Sequence, residues 1–268
     1  MKQSTNAPRL TYVFDLDGVI YRGRESQPHA KEVVLALRSQ GHAVRFYTNN
    51  AAKSRDTYLS KLESMGIPTP IDHIMTSSYA AALYFVEQNA VGKTVYRVGE
   101  QGMAKELEAV GMKVIYDLDE PDAKIDYVVA GLDRDFHYRK LARAQRAILA
   151  GARFIATNED PTFPMEGGAL LPGGGCMVAA LRTATNTEPF VIGKPSTYAY
   201  NKILELTGST PERSVMIGDR LDTDIAVGNR AGAQTVLVLT GVTSKEEAER
   251  AVGDQKPDRI IATLEELL

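Results

Sequence analysis

The chain is short of cysteine, of long apolar runs and of any surplus of one charge. Cys176 is the single cysteine in 268 residues, so no internal disulfide can form, which fits a reducing, cytoplasmic setting. As a small apolar side chain Cys176 is expected to fill a buried site beside Gly173-Gly174-Gly175. No apolar run approaches the ~18 residues that a membrane-spanning helix needs. The first ten residues, MKQSTNAPRL, lack the apolar segment of a secretory signal. A net charge of −3 supplies no basic field for nucleic acid or a membrane surface. The four histidines, His29, His42, His73 and His137, show no metal-ligand spacing and read as surface or loop residues. With 44% apolar and 24% charged residues, the composition is that of a globular protein with one large domain or two modest ones.

What is there begins with YVFDLDGVIY, Tyr12 to Tyr21. Tyr12-Val13-Phe14 reads as a buried strand. Asp15-Leu16-Asp17-Gly18 then sets two carboxylates at its carboxyl end, with a glycine to turn the chain. In open parallel α/β sheets ligands sit at that end. Two acids there repel each other unless a cation lies between them, and a hard cation such as Mg²⁺ takes oxygen ligands of this kind. Asp and Gly are equally ordinary in a solvated β-turn, so these four residues alone leave both readings open.

Helical and extended patterns alternate behind this strand. A helix over 30–40 carries Val33, Val34 and Leu37 on one face. A strand over 43–47 ends in Thr48-Asn49-Asn50, and a helix behind Ser54 follows with Tyr58, Leu59, Leu62 and Met65. Near residue 76 a second run begins, with helices over 79–88, 101–110 and 138–150 and strands over 94–98, 113–116, 127–130 and 153–157. A Pro- and Gly-rich loop over 158–175 precedes a helix near 177–184. From about 190 the first pattern resumes, with strands over 190–192, 214–217 and 235–239 and helices over 198–206 and 222–231. Ser244 with Glu247 makes a capping box for a last long helix. Alternation of this kind implies parallel sheets covered by helices. The chain reads as α/β: a Rossmann-like parallel-sheet core from 1–78 and 188–268, with a smaller α/β domain, 79–187, inserted between.

Three more core strands end in residues suited to phosphate chemistry. Thr48 offers a hydroxyl and Asn49 an amide, both hydrogen-bond donors. Lys194 offers a compact positive charge for a phosphoryl group. Asp219 offers a third carboxylate, with Asp224 five residues on. Singly, each is better read as a turn, a solvated loop or a helix cap; jointly they converge on one rim. Gly92-Lys93-Thr94 ends like a phosphate-binding loop, but Glu87 stands where the upstream glycine belongs and a strand follows.

The ordered set DLDGV (15–19), TNN (48–50), GKP (193–195) and GDRLDTD (218–224) resembles the haloacid dehalogenase-type phosphatases. The insert resembles the large α/β cap of the subgroup that includes nitrophenyl phosphate, phosphoglycolate and pyridoxal phosphate phosphatases. ATNED (156–160) and LPGGG (171–175) resemble that subgroup's cap loops, and Ala51 departs from the Ser that many relatives carry. The resemblance implies Asp15 as nucleophile, forming an aspartyl-phosphate, and Asp17 as the acid and then the base. It implies Mg²⁺ held by Asp15, the main-chain carbonyl of Asp17, and Asp219. Thr48 and Asn49 would bind phosphoryl oxygens, Lys194 would neutralise charge, and Asp224 would orient the metal's surroundings, with Asp222 as a helix cap. Asn158 and Asp160, in a loop restrained by Pro161, Pro164 and Pro172, are the candidates for reading the leaving group.

The expected partner is a small-molecule phosphate ester, with neither nucleic acid nor membrane, and the large-capped resemblance adds a homodimer. Two rivals share the motifs. A phosphomutase of the same superfamily usually has a smaller helical cap. A phospho-accepting receiver domain needs less than half this length and has no insert. A binding protein derived from such an enzyme is disfavoured, because no motif residue is lost.

Overall fold

A computed structural model describes residues 9–117, 119–120, 122–164 and 170–268. The signal-peptide reading of the first residues, and residues 165–169 of the proposed specificity loop, lie outside them. By its internal contacts the chain forms two compact units. One takes the chain up to Tyr47, Glu63–Thr69 and Tyr200 onward; the other takes Thr48–Leu62 and Pro70–Ala199.

In the first unit five strands lie side by side in the order Arg259–Ile261, Gln234–Val238, Ser214–Gly218, Thr11–Phe14, Ala43–Thr48. All four pairings are parallel. A parallel sheet is covered on both faces, so its central strands are apolar throughout rather than alternating. Ser214–Gly218 is buried at every position, and Phe14 lies opposite both Ile217 and Phe46. The first strand has its neighbours from later chain on either side, one from 43–48 and one from 214–218, and it marks the point where strand order reverses. Such switch points open a crevice at the carboxyl ends of the strands. Asp15 and Asp219 are the first residues beyond two adjacent strand ends at that crevice.

The second unit holds another parallel sheet, in the order Phe190–Val191, Arg153–Ala156, Tyr127–Ala130, Thr94–Val98, Lys113–Tyr116. Tyr96, Val98, Val128, Ala144, Ile148, Val178 and Leu181 form its core against the helices Tyr138–Leu149 and Gly174–Thr185. An antiparallel pair, Thr162–Pro164 with Leu170–Pro172, stands apart from the sheet. Among the described residues no helix is long and apolar enough to cross a membrane.

Several elements differ from the sequence reading. The helix expected near 177–184 starts at Gly174, because the main chain approaches so closely there that any Cβ on Gly173 or Gly175 would collide with the carbonyls of Asp160 and Glu159. The glycines are the helix start rather than loop. Cys176, on that helix, is exposed rather than buried, its Sγ 3.4 Å from the Pro161 carbonyl. The Ser244–Glu247 capping box is present, but it opens a helix of only six residues, Lys245–Arg250. Leu221–Ile225 is a π-helical turn ahead of Ala226–Ala231, and Asp222 pairs with Arg220 instead of capping it.

Candidate active site

Asp15 follows directly on the strand Thr11–Phe14, and its amide donates to the Ile217 carbonyl at 2.8 Å, which carries the parallel ladder one residue past the strand. The chain then turns tightly: the amides of Ile20 and Tyr21 both reach the Leu16 carbonyl, and the Gly18 amide reaches that of Tyr21 at 2.8 Å. Gly18 sits at φ 90°, where a side chain is strained, and a Cβ there would overlap the Asp219 carboxylate. Only glycine lets the two acidic strand ends come together.

Asp15, Asp219 and Asp224 are all buried, at 8%, 2% and 1% exposure. One carboxylate oxygen from each lies within 4.8 Å of the others. Three buried acids at this spacing are costly without a cation, and an all-oxygen donor set is what a hard divalent ion takes. The residues fit such an ion. The exposed Asp17 carboxylate is not part of the trio.

Asp219 is fixed from two sides. Its Oδ2 accepts the Val242 amide at 2.8 Å and its carbonyl accepts the Thr243 amide at 3.2 Å. Asp224 Oδ2 accepts the amides of Asp219 and Arg220, both at 3.1 Å. A Cβ on Gly218 would overlap Asp224. The π-helical turn produces this arrangement: the amides of Asp224 and Ile225 both point to the Arg220 carbonyl, which tucks Asp224 under the strand end.

The second unit gathers the other predicted residues. The Thr48 hydroxyl accepts the Asn50 amide at 3.1 Å, and its own O–H remains available as a donor. Asn49 does different work from that expected. Its Oδ1 accepts the Lys194 amide at 2.8 Å, while its Nδ2 donates to the Lys194 carbonyl at 2.9 Å and to the Asp160 carboxylate at 3.1 and 3.2 Å. The parallel ladder runs on from Val191 through Ile192 and Gly193, whose amides reach the carbonyls of Ala156 and Thr157. The Asn49 side chain then stands in for the next peptide and grips Lys194 by its main chain. Gly193 must be glycine, because a Cβ would meet the Thr157 carbonyl and Asn49 Oδ1. Lys194 is 2% exposed. Asn158 Nδ2 donates to Asp160 at 2.8 Å, so both residues expected to read the leaving group are tied into the support of Lys194.

Sequence reasoning missed the loop after Gln234–Val238. Thr240, Gly241 and Val242 touch Asp219 or the Asp17-Gly18 turn, yet they carry no motif. Two adjacent features, a glycine and a Thr-Ser cluster behind a strand, signal only a turn.

Comparisons with known proteins bear on the family and the fold. A family model described as haloacid dehalogenase-like hydrolase matches residues 12–113, and a second, HAD-hydrolase-like, matches 191–267. Phosphoglycolate phosphatase 2 of Arabidopsis thaliana is 37% identical, over 96% of this chain and 92% of that protein. The structure of p-nitrophenyl phosphatase from Archaeoglobus fulgidus superposes with a TM-score of 0.88 at 35% identity, over 97% of this chain and 98% of that one. Glycerol phosphate phosphatase from Mycobacterium tuberculosis, solved in complex with magnesium, gives a TM-score of 0.86 at 36% identity, over 97% of this chain and 76% of that one.

Proposed function

The chain belongs to the haloacid dehalogenase-like hydrolase family, and from that premise we propose a magnesium-dependent phosphatase that hydrolyses small phosphomonoesters through an aspartyl-phosphate on Asp15. The enzyme is a phosphoric monoester hydrolase with an α/β fold. The observation that carries the metal-dependent mechanism is the buried trio Asp15, Asp219 and Asp224 at adjacent strand ends.

Asp15 attacks phosphorus as the P–O bond to the leaving group breaks, and Asp17, exposed beside it in sequence, gives its proton to the departing oxygen. Asp17 then takes a proton from water, which attacks the same phosphorus. The bond to Asp15 breaks, releasing phosphate and restoring the carboxylate. Splitting one hard displacement into two, served by one positioned acid and base, is how a carboxylate nucleophile works. Asp15, Asp219 and the main-chain carbonyl of Asp17 would hold Mg²⁺, with Asp224 fixing the turn behind Asp219. The bound ion supplies positive charge that lets a dianionic phosphate approach the carboxylates. The motif set assigns Thr48 and Lys194 to the phosphoryl oxygens. Asn49 serves by holding Lys194, given how its amide is spent.

The division into a catalytic core, 1–78 and 188–268, and a cap, 79–187, belongs to the same proposal, as does a homodimer. The core motifs contain nothing that reads a leaving group, which assigns specificity to the cap, with Asn158 and Asp160 at its loop. The named relatives act on phosphoglycolate, nitrophenyl phosphate and glycerol phosphate, and these three, with sugar phosphates and pyridoxal phosphate, define the panel to test. Purified protein should hydrolyse p-nitrophenyl phosphate with Mg²⁺ and rank the panel by kcat/KM. EDTA should abolish turnover and Mg²⁺ restore it. Full activity in excess chelator would contradict the proposal.

A further inference from the structure

The loop that follows the strand Gln234–Val238 joins the two acidic strand ends of the first unit. The Thr240 hydroxyl donates to the Gly18 carbonyl at 2.7 Å. Gln27 Nε2 bridges the same two places, donating to the Gly18 carbonyl at 3.3 Å and to the Thr240 carbonyl at 3.2 Å. Two residues on, the Val242 amide donates to Asp219 Oδ2 at 2.8 Å. Between them Gly241 lies so close against the Asp219 carboxylate that a Cβ would overlap it. A single stretch of three residues therefore holds the turn that carries Asp17 with one hydroxyl and Asp219 with one amide. The Gly18 carbonyl takes one side-chain donor from nearby Gln27 and one from Thr240, far along the chain, more than a tight turn needs for its own satisfaction.

We propose that Thr240 is a positioning residue, whose hydroxyl anchors the Gly18-Val19 peptide by its carbonyl, so holds the turn that carries the Asp17 carbonyl against Asp219, and thereby tunes divalent-cation affinity and turnover. The inference rests on the phosphatase reading above. Partners that orient metal ligands from behind are typically worth 10–100-fold in metal affinity or activity. Metal binding and catalysis both depend on the turn that this carbonyl anchors, and loss of the Thr240 hydroxyl leaves that turn held by Gln27 alone.

The test is Thr240→Val, which keeps the shape and removes the hydroxyl, beside Thr240→Ser, which keeps the hydroxyl. Mg²⁺ binding is read by calorimetry on the protein without substrate, and p-nitrophenyl phosphate kinetics and melting in EDTA are measured in parallel. Thr240→Val should weaken Mg²⁺ binding roughly tenfold and lower kcat by a similar factor, with KM nearly unchanged, while Thr240→Ser stays within about twofold of wild type. Unchanged Mg²⁺ affinity in Thr240→Val, or equal losses in the Val and Ser variants, overturns the inference. If Thr240→Val melts far below wild type, Gln27→Met removes the second donor from a half-buried position, and an unaltered Mg²⁺ affinity there overturns it as well. A wild type that neither binds Mg²⁺ nor turns over substrate overturns the phosphatase reading and this inference with it. An active wild type with a silent Thr240→Val overturns the inference alone.

Discussion

At the scale of single residues, the account rests on what each carboxylate can do. Asp15→Asn keeps the shape but removes the attacking charge and one member of the buried trio. Turnover should fall by several orders of magnitude, because members of one catalytic unit fail together, while the melting temperature changes little, since relief of repulsion among Asp15, Asp219 and Asp224 offsets a lost ligand. A variant keeping a tenth of wild-type kcat would remove Asp15 from the nucleophile's role. In kcat/KM, which reports the first half-reaction, Asp17→Asn should cripple alkyl phosphates more than p-nitrophenyl phosphate, whose leaving group departs with little help from an acid; equal losses in kcat/KM would make Asp17's role structural. Asp15 and Asp219 were legible as strand-end acids because their signal is local: an apolar strand, then an acid with a glycine within three residues. Asn49 was legible as a polar residue at a strand end but not in its task, because its partners Lys194 and Asp160 are 145 and 111 residues away. Cys176 misled for a related reason. A small apolar side chain suits a core, but the helix that carries it turns that position outward.

At the scale of elements, the second unit contains a buried ionic cluster that the sequence does not announce. Lys140, on the helix Tyr138–Leu149, is fully buried; its Nζ donates to Asp133 at 3.1 Å, to the Tyr116 hydroxyl at 2.7 Å and to the Asp135 carbonyl at 2.8 Å. Burial opposes the Lys140 charge, but hydrogen bonds with Tyr116 and Asp133 outweigh it and hold its pKa above the usual lysine value. Lys140→Met leaves Asp133, 1% exposed, as an uncompensated buried charge. Stability in urea should drop by about 3–5 kcal/mol; a drop under about 1 kcal/mol would show that Asp133 finds another partner. Next to it Tyr96 is buried with an unpartnered hydroxyl, and burial pushes its pKa up to about 12. The unfolded chain ionises this phenol near 10, so its titration takes nothing from stability below pH 10 and lowers it as pH rises from there toward 12. Tyr96→Phe should flatten melting temperature against pH in that window and raise stability near neutrality by about 1 kcal/mol. An unchanged alkaline slope would assign the loss to other groups. The helix and strand periods of this unit were readable because buried positions recur at regular spacing. The π-helical turn at Leu221–Ile225 was not, since its sequence, LDTDI, fits a plain helix start; what widens it is the hold of the Asp219 and Arg220 amides on the Asp224 carboxylate, in space that Gly218 leaves free.

At the scale of the whole molecule, alternation of helix and strand was enough to predict parallel sheets, and both sheets are parallel at every pairing given above. Strand order was not predictable from alternation, because it is decided by which apolar faces meet across long loops. It is the order that puts Thr11–Phe14 beside Ser214–Gly218 and brings Asp15 to Asp219. The loop at Thr240 escaped notice for the same reason, as its value lies in what the sheet sets beside it. The central claim is that phosphate passes through Asp15. Asp17→Asn should slow the second half of the reaction, in which the base activates water, and so let the covalent intermediate accumulate. The direct measurement is acid quenching of Asp17→Asn during turnover of p-nitrophenyl phosphate with Mg²⁺, followed by proteolysis and mass spectrometry of the peptide containing Asp15. The account predicts a phosphoryl adduct on Asp15 that hydroxylamine removes, absent from the Asp15→Asn, Asp17→Asn double variant. A phosphoryl adduct on any other residue, or none on Asp15 while the wild type turns over, would contradict it.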